Sequence, residues 1–254
     1  MPVLEVKNLS FGYNGAGVLK NVSFSLDKGD FTGILGHNGS GKSTLLKIIS
    51  GILTSDSGAI LLNGKPVLSY SRQETARLIG HVPSEIFVPY EFTVFETVLM
   101  GRSPYLNWWQ GYGRRDFIKT HEVLERAGIS HLKNRHLNSL SSGEKQLVFI
   151  AQALAQEPEI LILDEPTSHL DINHKIEIFA LLSGLIKEKG ISVIVVTHDL
   201  NLAAGYCNKI LLLRNGETIY FGNTREGLET EKISRSYGVK NTEALKRIMK
   251  GLTA

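Results

Sequence analysis

Residues 31–50 constrain the fold of this chain more than any other segment. Phe31 begins a short apolar run, a glycine-rich stretch follows, and leucines and isoleucines then recur at helical spacing until Gly51. A buried strand, a tight loop and a helix in that order are typical of parallel α/β folds, whose strands are covered on both faces. We therefore predict an α/β protein with a mainly parallel sheet.

The glycine-rich stretch fits the pattern G-x-x-x-x-G-K-[ST]. Between a strand and a helix, such a loop turns backbone N–H groups toward phosphate oxygens, and the helix dipole favours the anion. Lys42 supplies a positive charge for the β- and γ-phosphates, and the Ser43 hydroxyl suits Mg²⁺. The predicted ligand is a nucleoside triphosphate with Mg²⁺. The candidate residues are Gly36, His37, Asn38, Gly39, Ser40, Gly41, Lys42, Ser43 and Thr44.

A second predicted strand ends in two carboxylates. Residues 160–163 are an apolar run, and Asp164 and Glu165 follow directly. The carboxyl ends of parallel strands face the ligand crevice, so we expect both acids beside the phosphates. Asp164 suits Mg²⁺, which prefers oxygen ligands, and Glu165 is the candidate for polarising an attacking water.

The order of the predicted elements divides the chain into regions. Alternating apolar residues broken by tight turns predict antiparallel strands near the start, and only helical patterns occur between about 84 and 157. We predict one composite domain. Its nucleotide-binding core takes residues 1–83 and 158–254 and includes an antiparallel β subdomain, and residues 84–157 form an inserted helical subdomain.

Composition excludes several classes of protein. The 254 residues are 42% hydrophobic and 21% charged, which suits a folded chain with a substantial core. The apolar runs are far shorter than the roughly 20 residues of a membrane-spanning helix. The first residues show no secretory signal, so a cytoplasmic location is expected. A net charge of +3 does not indicate nucleic acid, and one cysteine cannot form an internal disulfide.

Several short motifs occur in an order that points to a family. LSSGE at 140–144 precedes a helical pattern, although alone it also suits an ordinary serine N-cap. With the phosphate loop and the acidic strand end, it resembles the nucleotide-binding subunits of ABC transporters over nearly the whole chain. The other matching motifs are Tyr13, SHLD at 168–171 and VTHD at 196–199.

The resemblance implies a role for each matched residue. Lys42, Glu165 and His198 would be catalytic, with His198 sensing the γ-phosphate. Tyr13 would stack on adenine, although a core tyrosine on a strand is the alternative. Asp171 would couple two nucleotide sites. A signature segment would grip the ATP held by a second copy, and it comprises Ser141, Ser142, Gly143 and Glu144.

The resemblance also implies partners. Two copies would form a head-to-tail homodimer that binds ATP and releases ADP. At the cytoplasmic face of the membrane the dimer would drive integral permease subunits and, through them, serve a substrate-binding protein. THDLNLAA at 197–204 and VFETVLMGR at 94–102 look most like the ATPases of iron-siderophore, haem and cobalamin importers.

Three positions differ from the usual family pattern. Ser84 stands where the family usually has a glutamine that contacts Mg²⁺ and the attacking water, and Glu85 follows it. Serine is too short for direct contact, so we expect low basal turnover or more dependence on the partner. Ser142 replaces a usual glycine and would crowd the γ-phosphate if its φ had to be positive. Glu144 replaces Gln in a common family variant.

Four aromatic residues fall within residues 105–112, including Trp108 and Trp109. They either close the core of the helical lobe or form an exposed groove for a permease helix.

Two other functions also stay open for the chain: a soluble ABC ATPase without a permease, for example in iron–sulfur assembly, and a weakly hydrolysing nucleotide-dependent regulator. A translation-associated or nucleic-acid-linked ABC protein fits less well, because the chain has one phosphate loop and modest charge.

Overall fold

The computed structural model describes residues 2–84, 91–107, 109 and 111–249. Its strands are β1 Leu4–Tyr13, β2 Ala16–Leu26, β3 Phe31–Leu35, β4 Ser57–Leu62, β5 Lys65–Pro66, β6 Ile79–Val82, β7 Ile160–Asp164, β8 Ser192–Val196, β9 Lys209–Arg214 and β10 Glu217–Asn223. Its helices are α1 Lys42–Ile49, α2 Arg72–Leu78, α3 Val94–Met100, α4 Arg114–Arg126, α5 Ser142–Leu154, α6 Ile172–Lys189, α7 Leu200–Tyr206, α8 Thr224–Gly227, α9 Thr230–Tyr237 and α10 Thr242–Met249.

The larger sheet has six strands in the order β10-β9-β3-β8-β7-β6. All neighbouring pairs are parallel except β9 and β10, which form an antiparallel hairpin. Strands β3, β7 and β8 are buried at every residue, which explains their unbroken apolar sequences. The predicted mainly parallel α/β fold is confirmed.

The smaller sheet is antiparallel and has the order β2-β1-β4-β5. The turn between β1 and β2 is Asn14-Gly15, and both residues have positive φ, as tight hairpins require. Burial along β1 alternates between inward and outward residues, so this sheet has one apolar face and one exposed face.

The sheet residues divide between two hydrophobic cores. On β8, Val193 and Val195 face a core that contains the helices α5 and α6. Their neighbours Ile194 and Val196 face a second core, formed with α1 and the antiparallel sheet. The alternation follows from the pleat of a strand that is covered on both faces.

Within the described part of 84–157 the secondary structure is helical, apart from one isolated bridge between Thr93 and His136. Helices α3 and α5 both begin with capping boxes, in which Thr93 pairs with Glu96 and Ser141 with Glu144. The buried apolar residues of this segment belong to the core that contains Val193 and Val195 of β8. No described helix is both long and apolar enough to cross a bilayer.

Candidate functional site

The loop at 36–41 connects the carboxyl end of β3 to the first turn of α1. Gly36 has φ 153°, and a side-chain carbon at this position would collide with the backbone oxygen of Leu213 on β9. Only glycine therefore lets the chain leave β3 in this direction. The loop wraps around the start of α1, with Asn38, Gly39 and Ser43 exposed and Ser40 buried.

The side chain of Lys42 folds back into this loop. Its ammonium group donates hydrogen bonds to the carbonyl oxygens of Gly36 at 2.9 Å and His37 at 3.0 Å. Burial lowers the pKa of Lys42, and the carboxylates of Glu165 and Asp164 oppose that shift. A positive charge thus lies among the loop's backbone groups, within the field of both acids.

The turn between β9 and β10 supports the loop from the side. The backbone N–H of Gly216 donates to the Ser40 carbonyl at 3.1 Å, and the His37 ring lies 3.1 Å from the Asn215 side-chain oxygen. On its other side, the Gly216 carbonyl accepts a hydrogen bond from the Lys20 N–H of β2 at 2.8 Å. The turn therefore joins the loop to the antiparallel sheet.

Asp164, the last residue of β7, is 4% exposed, and its Oδ1 has no hydrogen-bond partner among the described residues. Its pKa is raised above the usual value because the carboxyl group is buried. The Ser43 hydroxyl and the Lys42 ammonium group oppose this rise only in part. An unpartnered buried carboxylate oxygen next to a serine hydroxyl suits a hard divalent cation such as Mg²⁺. Asp164 and Ser43, the two metal candidates of the sequence, lie together.

Glu165 follows in a left-handed conformation, with φ 50°, and its backbone N–H donates to the Val196 carbonyl at 3.1 Å. Its two carboxylate oxygens have different partners: Oε1 lies 2.9 Å from His198 Nε2, and Oε2 accepts from the Ser168 hydroxyl at 3.0 Å. His198 comes from the end of β8, so two adjacent parallel strands bring this pair together. Sequence reasoning gave no role to Ser168, whose only signal was its place in the SHLD string.

Tyr13 lies at the end of β1 and is 44% exposed. The ring of Phe11 meets it edge-on, with centroids 4.9 Å apart and planes at 88°. The alternative that Tyr13 is a core tyrosine is therefore wrong. An exposed aromatic ring fixed by an edge contact is suited to stacking on a flat ligand.

The signature segment forms the first turn of α5. The Ser141 hydroxyl accepts from the Glu144 N–H at 3.2 Å, and the Glu144 carboxylate accepts from the Ser141 N–H at 2.7 Å. Hydrogen bonds to its carboxylate from the backbone and the side chain of Ser141 lower the pKa of Glu144. Ser142 lies in the helix and is not among the residues with positive φ, so the strain considered for it does not arise.

Asp171 caps α6 through its side chain and is exposed. Hydrogen bonds from the backbone and the ring of His174 lower its pKa. The same ring packs against Gly143 of the signature segment. His174 was missed by sequence reasoning, because no local pattern indicates a contact between two helices.

Ser84 is exposed and follows β6, whose residue Val82 pairs with Leu163 of β7. The register thus brings Ser84 to the edge of the sheet that carries Asp164, whereas Glu85 lies outside the described residues.

In the aromatic cluster at 105–112, Trp108 lies outside the described residues. Trp109 is 67% exposed, so it is not a core residue. Tyr105 is partly buried, and the guanidinium of Arg102 lies 3.9 Å above its ring.

The sheet topology, the loop at 36–41 and the acids that end β7 define a P-loop nucleoside triphosphatase. The chain belongs to the ABC transporter family, whose model matches residues 19–168, and it is an ATP-binding ATPase of that family.

Known proteins of this family resemble the chain over most of its length. The ferric enterobactin transport ATP-binding protein FepC of Escherichia coli K12 is 37% identical over 237 residues, which cover 93% of this chain and 88% of FepC. The chain also superposes on an inward-facing ABC transporter described as being of the metal-chelate type, with a TM-score of 0.83 and 34% identity. The match covers 93% of this chain and 89% of the transporter chain. A dimeric ATP-binding cassette with bound ADP and phosphate has a TM-score of 0.76 at 30% identity, over 87% and 98% of the two chains.

Proposed function

We propose that the chain is the energy-coupling ATPase of an importer for iron-siderophore complexes, haem, iron or cobalamin, at the cytoplasmic face of the membrane. For ATP hydrolysis, the proposal rests on the contact of Glu165 with His198, next to Asp164 and the phosphate loop. The likeness to FepC and to a metal-chelate type transporter supports the substrate class.

Hydrolysis needs a base for the attacking water, positive charge at the phosphates and a sensor of the γ-phosphate. Glu165 would accept the water's proton through a carboxylate already oriented by His198 and Ser168. Lys42 would exchange its carbonyl partners for phosphate oxygens, and Tyr13 would hold the adenine. A Mg²⁺ ion held by Ser43 and, through water, by Asp164 would neutralise phosphate charge.

The proposed assembly is a head-to-tail homodimer in which the signature segment and Asp171 reach the nucleotide of the other copy. Next to Asp171, the side chain of Ile172 is 71% exposed. A large exposed apolar side chain beside the first turn of α6 supports contact with another surface there. The similar cassette that is dimeric with bound ADP and phosphate supports a dimer as the assembly.

Sedimentation of the purified chain with and without ATP, together with phosphate release, tests this function. We expect ATP-dependent dimers and steady release of phosphate. A chain that stayed monomeric with ATP and released no phosphate would instead favour the nucleotide-dependent regulator. A turning-over dimer that never copurified with a polytopic membrane protein would favour the ATPase without a permease.

Ser84→Gln is expected to raise the basal rate of phosphate release by up to about tenfold. The longer amide side chain would reach the metal and the attacking water directly, where serine needs an intervening water. Steady-state phosphate release with and without the permease is the measurement, and Ser69→Gln, at an exposed residue on the 3₁₀ turn after β5, is the control. Equal rates and equal stimulation in all three proteins would contradict the role given to position 84.

The surface for the permease is proposed on the helical segment, residues 84–157, and the adjoining core. A cavity of about 640 Å³ opens beside α2, and its lining includes Ile52 and Leu68, which are 60% and 73% exposed. Trp109 adds a large exposed ring on the helical segment. Exposed apolar groups of this size are typical of protein contact surfaces.

Trp109→Ala is expected to weaken assembly with the permease by about 1–2 kcal/mol and to leave ATP binding unchanged. Copurification in detergent and titration with a nucleotide analogue measure the two effects. Glu231→Ala on α9, at an exposed residue outside the helical segment, is the control. Undiminished recovery of the permease with Trp109→Ala would exclude this residue from the contact.

A further inference from the structure

His174 contacts both segments that the proposed dimer would present to the other copy's nucleotide. It lies in the first turn of α6, three residues after Asp171. Its backbone N–H donates to Asp171 Oδ1 at 3.0 Å, and its ring Nδ1 lies 2.8 Å from Oδ2. An ionised carboxylate only accepts hydrogen bonds, so the proton of the neutral ring is on Nδ1. One residue therefore holds both oxygens of Asp171.

The far edge of the same ring rests on the signature segment. Gly143 is buried, and a side-chain carbon in its place would lie 2.6 Å from the imidazole Cγ and 2.7 Å from Nε2, with Cδ2 closer still. Any larger residue at this position would have to displace the ring. The imidazole thus lies between the starts of α5 and α6, in contact with both.

We propose that His174 is a positioning residue that holds the signature segment and Asp171 as one rigid unit for the nucleotide of the second copy. The inference rests on the proposed function, because that function gives both segments their role across the dimer. Both segments lie at helix starts on separate elements. Groups that are already ordered lose less conformational freedom when two copies associate, so a preset spacing favours the dimer.

The two contacts can be removed separately. His174→Asn keeps an N–H donor at the same number of bonds from the backbone as Nδ1, but it removes the ring from Gly143. His174→Phe keeps a ring over Gly143 and has no donor for Asp171. His174→Ala removes both contacts. Glu177→Ala, at an exposed position three residues further along α6, is the matched control.

The experiment measures ATP-dependent dimerisation by sedimentation and phosphate release at steady state, with ADP affinity as a test of the phosphate loop. We expect His174→Ala to raise the ATP concentration for half-maximal dimer at least about tenfold and to lower kcat. Affinity for ADP should stay unchanged, the Asn and Phe variants should fall between, and Glu177→Ala should match the wild type. A His174→Ala protein with the wild-type half-maximal concentration and kcat would overturn the proposal.

Amide exchange in the nucleotide-free chain separates this proposal from the proposed function. Faster exchange in peptides covering 141–146 and 171–176 is expected for His174→Ala and not for Glu177→Ala. Equal exchange in the three proteins would refute the positioning role whether or not dimers form. Absence of ATP-dependent dimers in the wild type would instead contradict the proposed function, and the exchange result would still decide the role of His174.

Discussion

Glu165→Gln is expected to lower the rate of phosphate release by about 10²- to 10⁴-fold while ATP binding is retained. Glutamine keeps the length of the side chain and one of its two acceptor oxygens, but an amide does not accept the proton of the attacking water. Lys42, Ser43 and Asp164 are untouched, so the affinity for the triphosphate should change little. The variant should accumulate as an ATP-bound dimer, because closure no longer leads to hydrolysis.

Single-turnover phosphate release, nucleotide titration and sedimentation with ATP measure these three quantities. Glu188→Gln is the control, because this exposed carboxylate on α6 pairs with Arg126 far from the loop. Phosphate release within a factor of ten of the wild type would show that another group takes the proton. The regulator hypothesis would also gain support if the wild type were as slow as the variant.

Arg102→Met is expected to destabilise the fold by about 3–5 kcal/mol, the usual effect of removing one partner from a buried ion pair. Arg102 is 1% exposed and donates to Asp116 at 3.1 Å, to the Ala155 carbonyl at 2.6 Å and to Glu157 at 2.9 Å. Methionine fills much of the volume, but it leaves Asp116, itself 8% exposed, without its cation.

Urea unfolding followed by circular dichroism measures this loss as a shift of the midpoint at constant slope. Lys119→Met is the matched control, since Lys119 also pairs with Glu157 but at the surface, where about 0–1 kcal/mol is expected. Similar midpoint shifts for the two variants would mean that burial does not distinguish the two cations, which would contradict the prediction.

The parts of the site that could be predicted from sequence are those in which a local pattern fixes position. A strand, a glycine loop and a helix place Lys42, and an apolar strand followed by acids places Asp164, because the carboxyl ends of parallel strands share one edge of the sheet. Glu165 and His198 come just after β7 and β8, and they meet because these two parallel strands are neighbours in the sheet.

The remaining features join residues that no local pattern relates. His174 meets Gly143 because two helices begin side by side, and the space for the ring exists only after both have packed. Arg102 gathers partners 14 and 55 residues away. The aromatic residues around Trp109 do not decide between core and surface, because its exposure depends on how the helical segment packs.

The turn at Asn215-Gly216 has a consequence for engineering the chain. A hairpin tip at the surface is ordinarily where a protein accepts an affinity tag, an inserted reporter or new termini after circular permutation. Here the tip is hydrogen-bonded to the Ser40 carbonyl on one side and to Lys20 on the other. An insertion at this tip would therefore deform the triphosphate pocket from behind, so labels and fusions belong elsewhere.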